Sequence, residues 1–542
     1  MAIKKIRLFR QSVVLYLDIK ELRRESMKKT FNIAGPCHPN EHYMLPTQER
    51  CQGVLQLIEQ KQYFVIHAAR QSGKTTLLLE LARQLNEAGN YYALYCSLET
   101  AQGISDAKEG ITAIVDKLEL DIELHEPLSA YSFAQKADYS KFTTVLLRVL
   151  SQFCRQLDKP LVIFFDEADC LTNGTLIAFL RQLRNGYVSR NEIPFVHSIA
   201  LVGMRNIRDY KSDIRDVRET LGSYSPFNIV SESLTLRNFT LKEMTNLYAQ
   251  HTELTGQVFS PQVIEKIYHD TQGQPWLVNA VAREIVVKML ANDFSKAIHL
   301  KHVEQAVQTI ILRRDTHIDS LMERLKEARV QRIVEPVIVG KNQGYSVLDD
   351  DYQYVLDLGL LRYTEGKIIP SNPIYGEVII RTLSSRSQME MAALQFPSYL
   401  MDGKLDMKQL LSDFQQFWRE NSEVWVKRYQ YVEAAPHLTL QAFLQKVVNH
   451  GGSVTREMAS GAGRLDLYIH YQGLNYPIEL KIRYGEKTYK EGQEQLVNYM
   501  DKLSCSEGWL LVFDRRKTVS WDEKIFWQTK LIANKTVHLV GC

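Results

Sequence analysis

The stretch YFVIHAARQSGKTT, residues 63–76, is an apolar run, a short polar turn and the opening of an amphipathic helix. Tyr63 to Ile66 form an unbroken apolar run, which predicts a buried strand. After the turn, TTLLLELARQLNEAG repeats apolar residues three and four positions apart, the helical period. Between strand and helix, Ala68 to Thr75 matches GxxxxGK[ST] in all but the first glycine, where Ala68 stands. That departure is tolerable because the phosphate-cradling turn centres on residues 70–75. The backbone N–H groups of Ala69, Arg70, Gln71, Ser72, Gly73, Lys74, Thr75 and Thr76 would converge on a β-phosphate, and Gly73 allows that close approach. Lys74 would reach the β- and γ-phosphate oxygens, and the Thr75 hydroxyl would ligate Mg²⁺.

Outward from this loop, strand-like runs alternate with helical patterns between residues 63 and 203: YYALYCSL, LVIFFDEA and HSIALVGM are the further strands. Such alternation predicts a parallel sheet with helices on both faces. LVIFFDEAD, residues 161–169, is an apolar strand ending in acids, and ligands of parallel sheets bind beyond the carboxyl ends of their strands. Asp166 is therefore expected beside Thr75 as the second holder of Mg²⁺, with Glu167 polarising the attacking water. The strand ending at Gly203 leads into Arg205 and Asn206, candidates for sensing the terminal phosphate.

At Gly273-Gln274-Pro275-Trp276 the chain resembles the lid of AAA-like ATPases of the origin-recognition and STAND-related branch, whose Gly-x-Pro turn approaches the nucleotide. FNIAGPCHPNEHYM, residues 31–44, together with HAARQSGKTT resembles bacterial ATP-binding proteins that carry a C-terminal nuclease-like domain, over nearly everything after residue 27. The resemblance implies ATP as the ligand, a winged helix after the lid that would suit residues 316–390, and a homo-oligomer in which a neighbour's arginine completes the site. Arg181, Arg184 and Arg190 follow the acidic strand, and nothing singles one out; Arg283 reads as a surface arginine.

A second constellation lies near the C-terminus, in RLDLYIH (464–470) and YPIELKI (476–482). Both alternate with period two, so Asp466 falls opposite in facing to Leu465 and Leu467, and Glu479 and Lys481 share one face of the second strand. A hairpin turning through Gly473 and Asn475, with Tyr471 opposite Tyr476, would set Asp466 opposite Lys481 and diagonal to Glu479. Two carboxylates and a lysine at one spot suit metal-dependent phosphodiester hydrolysis: Asp466 and Glu479 would hold one or two Mg²⁺, and Lys481 would orient or deprotonate water. This pattern resembles the PD-(D/E)XK nuclease superfamily, and Gln495 and Tyr499 resemble the Q-x-x-x-Y motif of some of its members. The preceding helix, LTLQAFLQKVVNH, offers Gln441 and Gln445 where many active members place a glutamate; Glu433 and Glu457 are the nearby acids.

The fold class expected is an α/β multidomain chain. Its parts are an N-terminal extension (1–30), a P-loop core (31–238), a helical lid (239–315), a winged-helix-like region (316–390) and a PD-(D/E)XK nuclease-like domain (391–542). A length of 542 residues fits several domains. Net charge is +3 with Lys and Arg spread along the chain, so a DNA-binding surface would have to be assembled by folding. Seven cysteines without CxxC spacing predict neither structural zinc nor a disulfide framework. With SVVLYL too short for a signal-peptide core and no membrane-length apolar run, the expected location is the cytoplasm. Two functions stay open: an ATPase whose nucleotide state controls a DNA nuclease, and a switch-type ATPase whose C-terminal domain only binds nucleic acid or protein.

Overall fold

A computed structural model of the chain describes residues 29–46, 48–133, 137–203, 229–313, 315–338, 349–391, 399–401, 403–426, 434–448, 452–458, 465–483, 486–514, 516 and 518–542. The chain divides into two compact units, residues 1–312 and 313–542.

In the first unit, β1 (Tyr63–His67), β2 (Tyr92–Ser97), β3 (Leu161–Asp166), β4 (Ser198–Gly203) and β5 (Val230–Thr235) form a five-stranded sheet in the order β2-β3-β4-β1-β5. Each pairing is parallel. The continuous apolar runs arise because both faces are covered. On β3, Leu161, Ile163 and Phe165 enter a core shared with α3 (Ala107–Glu123), α4 (Val145–Cys154) and α5 (Asn173–Ser189). Val162 and Phe164 enter the opposite core, against α1 (Val54–Glu59) and α2 (Lys74–Ala88). Burial of each such large apolar side chain stabilises by about 1.5–3 kcal/mol. Strand β5, VSESLT, was not legible as a strand, because its exposed edge position removes the need for an apolar run.

The lid follows as α6 (Leu241–Thr255), α7 (Pro261–Thr271), α8 (Pro275–Arg283) and α9 (Leu300–Arg313). Thr240 and Glu243 close a reciprocal capping box at α6. Gln274 caps α8, with Pro275 at its first turn. Gly273, at φ 69°, must be glycine: a Cβ there would lie 1.9 Å from Phe239 O. Residues 29–46 form a strap against this lid. Phe31 packs on Tyr43, Tyr248, His251 and Phe259, and Tyr43 Oη is 3.0 Å from His251 Nδ1.

The second unit opens with three helices, α10 (Thr316–Arg324), α11 (Ala328–Ile338) and α12 (Asp350–Asp357), and the hairpin β6 (Leu361–Thr364)–β7 (Lys367–Pro370). Next come α13 (Pro373–Met391), α14 (Met407–Val426) and α15 (Ala434–Val448); α13 packs along α15. The remainder holds β8 (Gly452–Met458), β9 (Leu465–Tyr471), β10 (Leu474–Ile482), α16 (Glu486–Lys502), β11 (Glu507–Phe513), β12 (Trp527–Ile532) and β13 (Lys535–Gly541). Its six-stranded sheet runs β8-β9-β10-β11-β13-β12. The pairings β8–β9 and β9–β10 are antiparallel, whereas β10–β11 and β11–β13 are parallel.

The β9–β10 hairpin corrects one expectation. Tyr471 pairs with Leu474, and Tyr476 pairs with Ile469, not with Tyr471. The loop is the two residues Gln472 (φ 47°) and Gly473 (φ 80°), both left-handed, as a tight hairpin turn requires. Leu467 pairs with Ile478, so one step further along the ladder Asp466 comes level with Glu479 instead of Lys481. A slip of two residues preserves the alternation of faces.

Candidate functional site

The phosphate loop sits between β1 and α2, at the carboxyl end of the parallel sheet. Two residues take left-handed backbone there, Gln71 (φ 57°) and Gly73 (φ 92°). The Lys74 side chain is buried, and its Nζ donates to Ala68 O at 2.9 Å and Ala69 O at 3.1 Å. Burial pulls its pKa down, opposed by the negative charges of Glu167, Asp169 and Asp166. The Ser72 hydroxyl is buried in this loop without a hydrogen-bond partner among the described residues. A buried ammonium whose hydrogen bonds among the described residues go to its own loop carbonyls, beside an orphaned hydroxyl, fits an anionic phosphate at this point.

Across the loop, Thr75 Oγ1 donates to Asp166 Oδ2 at 2.7 Å. Asp166, at the end of β3, is 1 % exposed, and its Oδ1 accepts the Glu167 N–H at 3.0 Å. Hydroxyl and carboxylate oxygens are hard donors that suit Mg²⁺, so Thr75 and Asp166 fit the ion the fold implies. Glu167 takes left-handed backbone (φ 54°) as the strand ends. Burial first, and Asp169 second, push its carboxyl above the ordinary glutamate range, with Lys74 pulling the other way. Thr76 Oγ1 accepts the backbone N–H of Cys37 from the strap at 3.1 Å. Arg70 is exposed.

Three further residues hold this site, of which only Gln274, in the Gly273–Trp276 turn, stands in a motif of the sequence. Tyr95 Oη, from β2, donates to Asp166 Oδ2 at 3.2 Å. Arg50, buried under the Phe239 ring, donates through Nη2 to Ser72 O and to Arg237 O, each at 2.7 Å. Burial pulls its pKa down to about 10. Gln274, capping α8, also donates to Gln71 O at 3.3 Å. The loop carbonyls are thus tied to the lid and to its connector. The acidic strand and the GKT turn could be read because each is local; these contacts span long stretches of chain and left no local signal. Arg205 and Asn206 lie outside the described residues, and Arg190 is occupied over the Tyr187 ring, 3.7 Å from its centroid.

In the second unit, Glu479 is 2 % exposed and its Oε1 accepts from Lys481 Nζ. α16 covers this part of β10: a Cβ on Gly492 would lie 3.1 Å from Lys481 Cγ, and the Tyr499 ring lies 6.3 Å from that of Tyr468. Gln495, between Gly492 and Tyr499 on that helix face, has a buried Oε1 without a partner among the described residues. Glu457 occupies the register position opposite Asp466. The side chains of Asp466 and Glu457, and all of Glu433, Gly463 and Arg464, lie outside the described part. Gln441, on α15, is fully buried, and neither of its amide atoms has a partner among the described residues. Among those residues, no group of three or more His, Cys, Asp and Glu side chains is gathered as a metal cluster. No helix there is long and apolar enough to cross a membrane.

Comparison with known proteins bears on the first unit above all. No curated protein matches the chain in sequence. Among solved structures, a Walker-type ATPase of Pyrococcus abyssi is similar at 13% identity, with 64% of this chain and 99% of that one covered and a TM-score of 0.46. The RuvB Holliday junction branch migration motor of Thermotoga maritima is similar at 13% identity, 60% and 90% coverage and a TM-score of 0.31. The Aeropyrum pernix Orc1 protein, solved in complex with DNA, is similar at 13% identity, 62% and 92% coverage and a TM-score of 0.32. A family model described as an AAA-like domain matches residues 35–379, more than half of the chain. With the phosphate loop, the acidic strand and the lid all inside that span, this chain belongs to the AAA-like domain family.

Proposed function

We propose that this chain hydrolyses ATP and that its nucleotide state controls a Mg²⁺-dependent DNA nuclease carried by residues 391–542. In this reading residues 31–238 are the ATPase core, 239–315 its lid and 316–390 a winged-helix-like reader of DNA, following residues 1–30. Lys74 leaves the carbonyls of Ala68 and Ala69 to take the β- and γ-phosphates, and the Ser72 hydroxyl gains an acceptor. Thr75 and Asp166 would hold Mg²⁺, which supplies charge neutralisation on the phosphates. Glu167 aligns water and takes its proton, a task suited to a carboxyl whose pKa lies above the ordinary range.

The observation that carries the nuclease half is the pairing of buried Glu479 with the half-buried Lys481 on β10. It lies in a helix, three antiparallel strands, helix, parallel strand order, α15-β8-β9-β10-α16-β11, which supports the PD-(D/E)XK reading. Asp466 and Glu479 would hold the cation, Lys481 would orient or deprotonate the attacking water, and Gln495 would contact substrate from α16. Seven free thiols suit a cytoplasmic setting. The test is cleavage of single- and double-stranded DNA in Mg²⁺ or Mn²⁺, with and without ATP. Glu479→Gln should abolish cleavage and spare ATP turnover, and Lys74→Ala should abolish turnover and any ATP effect on cleavage. Cleavage that survives Glu479→Gln would overturn the nuclease site.

One observation favours a second reading. α15 presents the uncharged Gln441 and Gln445, and Gln441 is buried without a partner among the described residues. A domain so built would bind DNA without cutting it, and the same assay would then give binding in every arm and products in none.

A further inference from the structure

We infer that Tyr95 is a positioning residue for the Mg²⁺ of the nucleotide site: its hydroxyl holds Asp166 in place without touching metal or nucleotide. The inference rests on the ATPase reading above.

The placement follows from the sheet. Ser97 pairs with Asp166 and Tyr95 with Phe164, so Tyr95 stands two residues back along the neighbouring strand. Tyr95 packs with the core on the α2 face, where Val162 and Phe164 point, and Asp166 follows them in the alternation. A diagonal neighbour about 7–8 Å away is within reach of a long aromatic side chain. The hydroxyl reaches the carboxylate that ends β3, beside the first turn of α2, where Thr75 stands.

Three hydrogen bonds fall on the carboxylate and leave one lone-pair site of Oδ1 open for a cation. Oδ2 accepts from Thr75 at 2.7 Å and from Tyr95 at 3.2 Å, and Oδ1 accepts the Glu167 N–H at 3.0 Å. A carboxylate oxygen offers two lone-pair sites, so Thr75 and Tyr95 fill those of Oδ2. Thr75 stands in the first turn of α2, directly after the phosphate loop. Tyr95 is on a strand of the sheet and keeps its position. Its hydroxyl would therefore keep Asp166 oriented when Thr75 and Asp166 hold the ion. Outer-shell hydrogen bonds of this kind are worth about 10–100-fold in metal affinity. Tyr95 is also among the residues that line a groove between α2, β2 and α3, with Asn86, Asp121 and His125.

The test separates metal from nucleotide. A fluorescent ATP analogue is titrated onto the full chain in EDTA and in excess Mg²⁺, for the wild-type protein and Tyr95→Phe. The expected result is an unchanged Kd in EDTA, with Mg²⁺-dependent tightening reduced about tenfold. Equal tightening in both proteins would overturn the inference. So would a Kd weakened equally in both conditions, which is the signature of a merely structural role. A wild-type protein that binds the analogue with no help from Mg²⁺ would overturn the reading of the nucleotide site, and this inference with it.

Discussion

Thr75 Oγ1 and Asp166 Oδ2, 91 positions apart in the chain, meet at 2.7 Å where α2 begins and β3 ends. The contact makes one site of two motifs that are separate in sequence. It also fixes where the negative charge of the site sits, one strand terminus away from the buried Lys74 ammonium.

Asp166→Asn tests that charge. The amide keeps the size of the side chain and can still meet Thr75 and Tyr95, so the fold should persist. Neutralising the carboxylate removes the counter-charge for Mg²⁺. ATP turnover is expected to fall about 100-fold, equivalent to ~2.7 kcal/mol of transition-state stabilisation, while the circular dichroism melt stays within a few degrees. Phosphate release kinetics check this; unimpaired turnover would remove Asp166 from the site.

Glu167 carries a pH prediction whose sign is fixed by its environment. Its carboxyl is held above the ordinary glutamate range by burial and by Asp169. Acting as a base it must be ionised, so turnover should fall as pH drops through the raised pKa, at a pH above the usual value of about 4.3. The stability effect runs the other way. The folded state favours the protonated acid, so this contribution is full below the ordinary glutamate pKa and is lost as pH rises through the raised one. Glu167→Gln keeps a neutral group there at every pH. The variant should be inactive yet more stable than wild type at pH 7, and the difference should vanish near pH 4. Thermal melts across this range decide it.

How much of this was legible depended on whether a signal was local. GKT before a helix, an apolar strand ending in Asp166-Glu167, and the ExK at Glu479–Lys481 each occupy a few consecutive residues, so the strands and helix that carry them could be read from spacing. Tyr95 in YYALYCSL looked like one more strand aromatic, because only the pairing of β2 with β3 brings it to Asp166. Arg50 gave no sign either: its partners, Ser72 O and Arg237 O, are 22 and 187 positions away. The hairpin register was misplaced by two residues because Gln472 is an unusual residue for the left-handed first position of a two-residue turn. Asn475, a better turn former, drew the expected loop one strand position too far.

Gly273 and Gly89 make a controlled pair in the first unit. Both have left-handed backbone, φ 69° and 77°. A Cβ on Gly89 meets nothing within 4 Å, whereas one on Gly273 would lie 1.9 Å from Phe239 O. Gly89→Ala should cost only the left-handed strain, about 1–2 kcal/mol. Gly273→Ala should cost a further 1–3 kcal/mol or so for the overlap, and it should weaken ATP binding because Gln274 could no longer reach Gln71 O. Urea unfolding of the two variants measures the difference. Equal costs would show that the α8 turn yields to the added carbon.

Gln441 and Gln415 form a second pair, in the other unit, and bear on what α15 is for. Both side chains are buried, but their amides differ. Gln415 Nε2 donates to Gly541 O at 2.5 Å and Phe526 O at 3.3 Å, while neither amide atom of Gln441 has a partner among the described residues. A buried polar group left unpaired costs about 1–3 kcal/mol, and methionine matches glutamine closely in length and volume. Gln415→Met should therefore destabilise the second unit, because it takes the donor from Gly541 O, while Phe526 O keeps the Gly541 N–H at 2.9 Å. Gln441→Met should stabilise it by about 1–2 kcal/mol, as removal of an orphaned amide does, with ATP turnover unchanged. A Gln441→Met protein that is less stable than wild type would mean that the amide is satisfied.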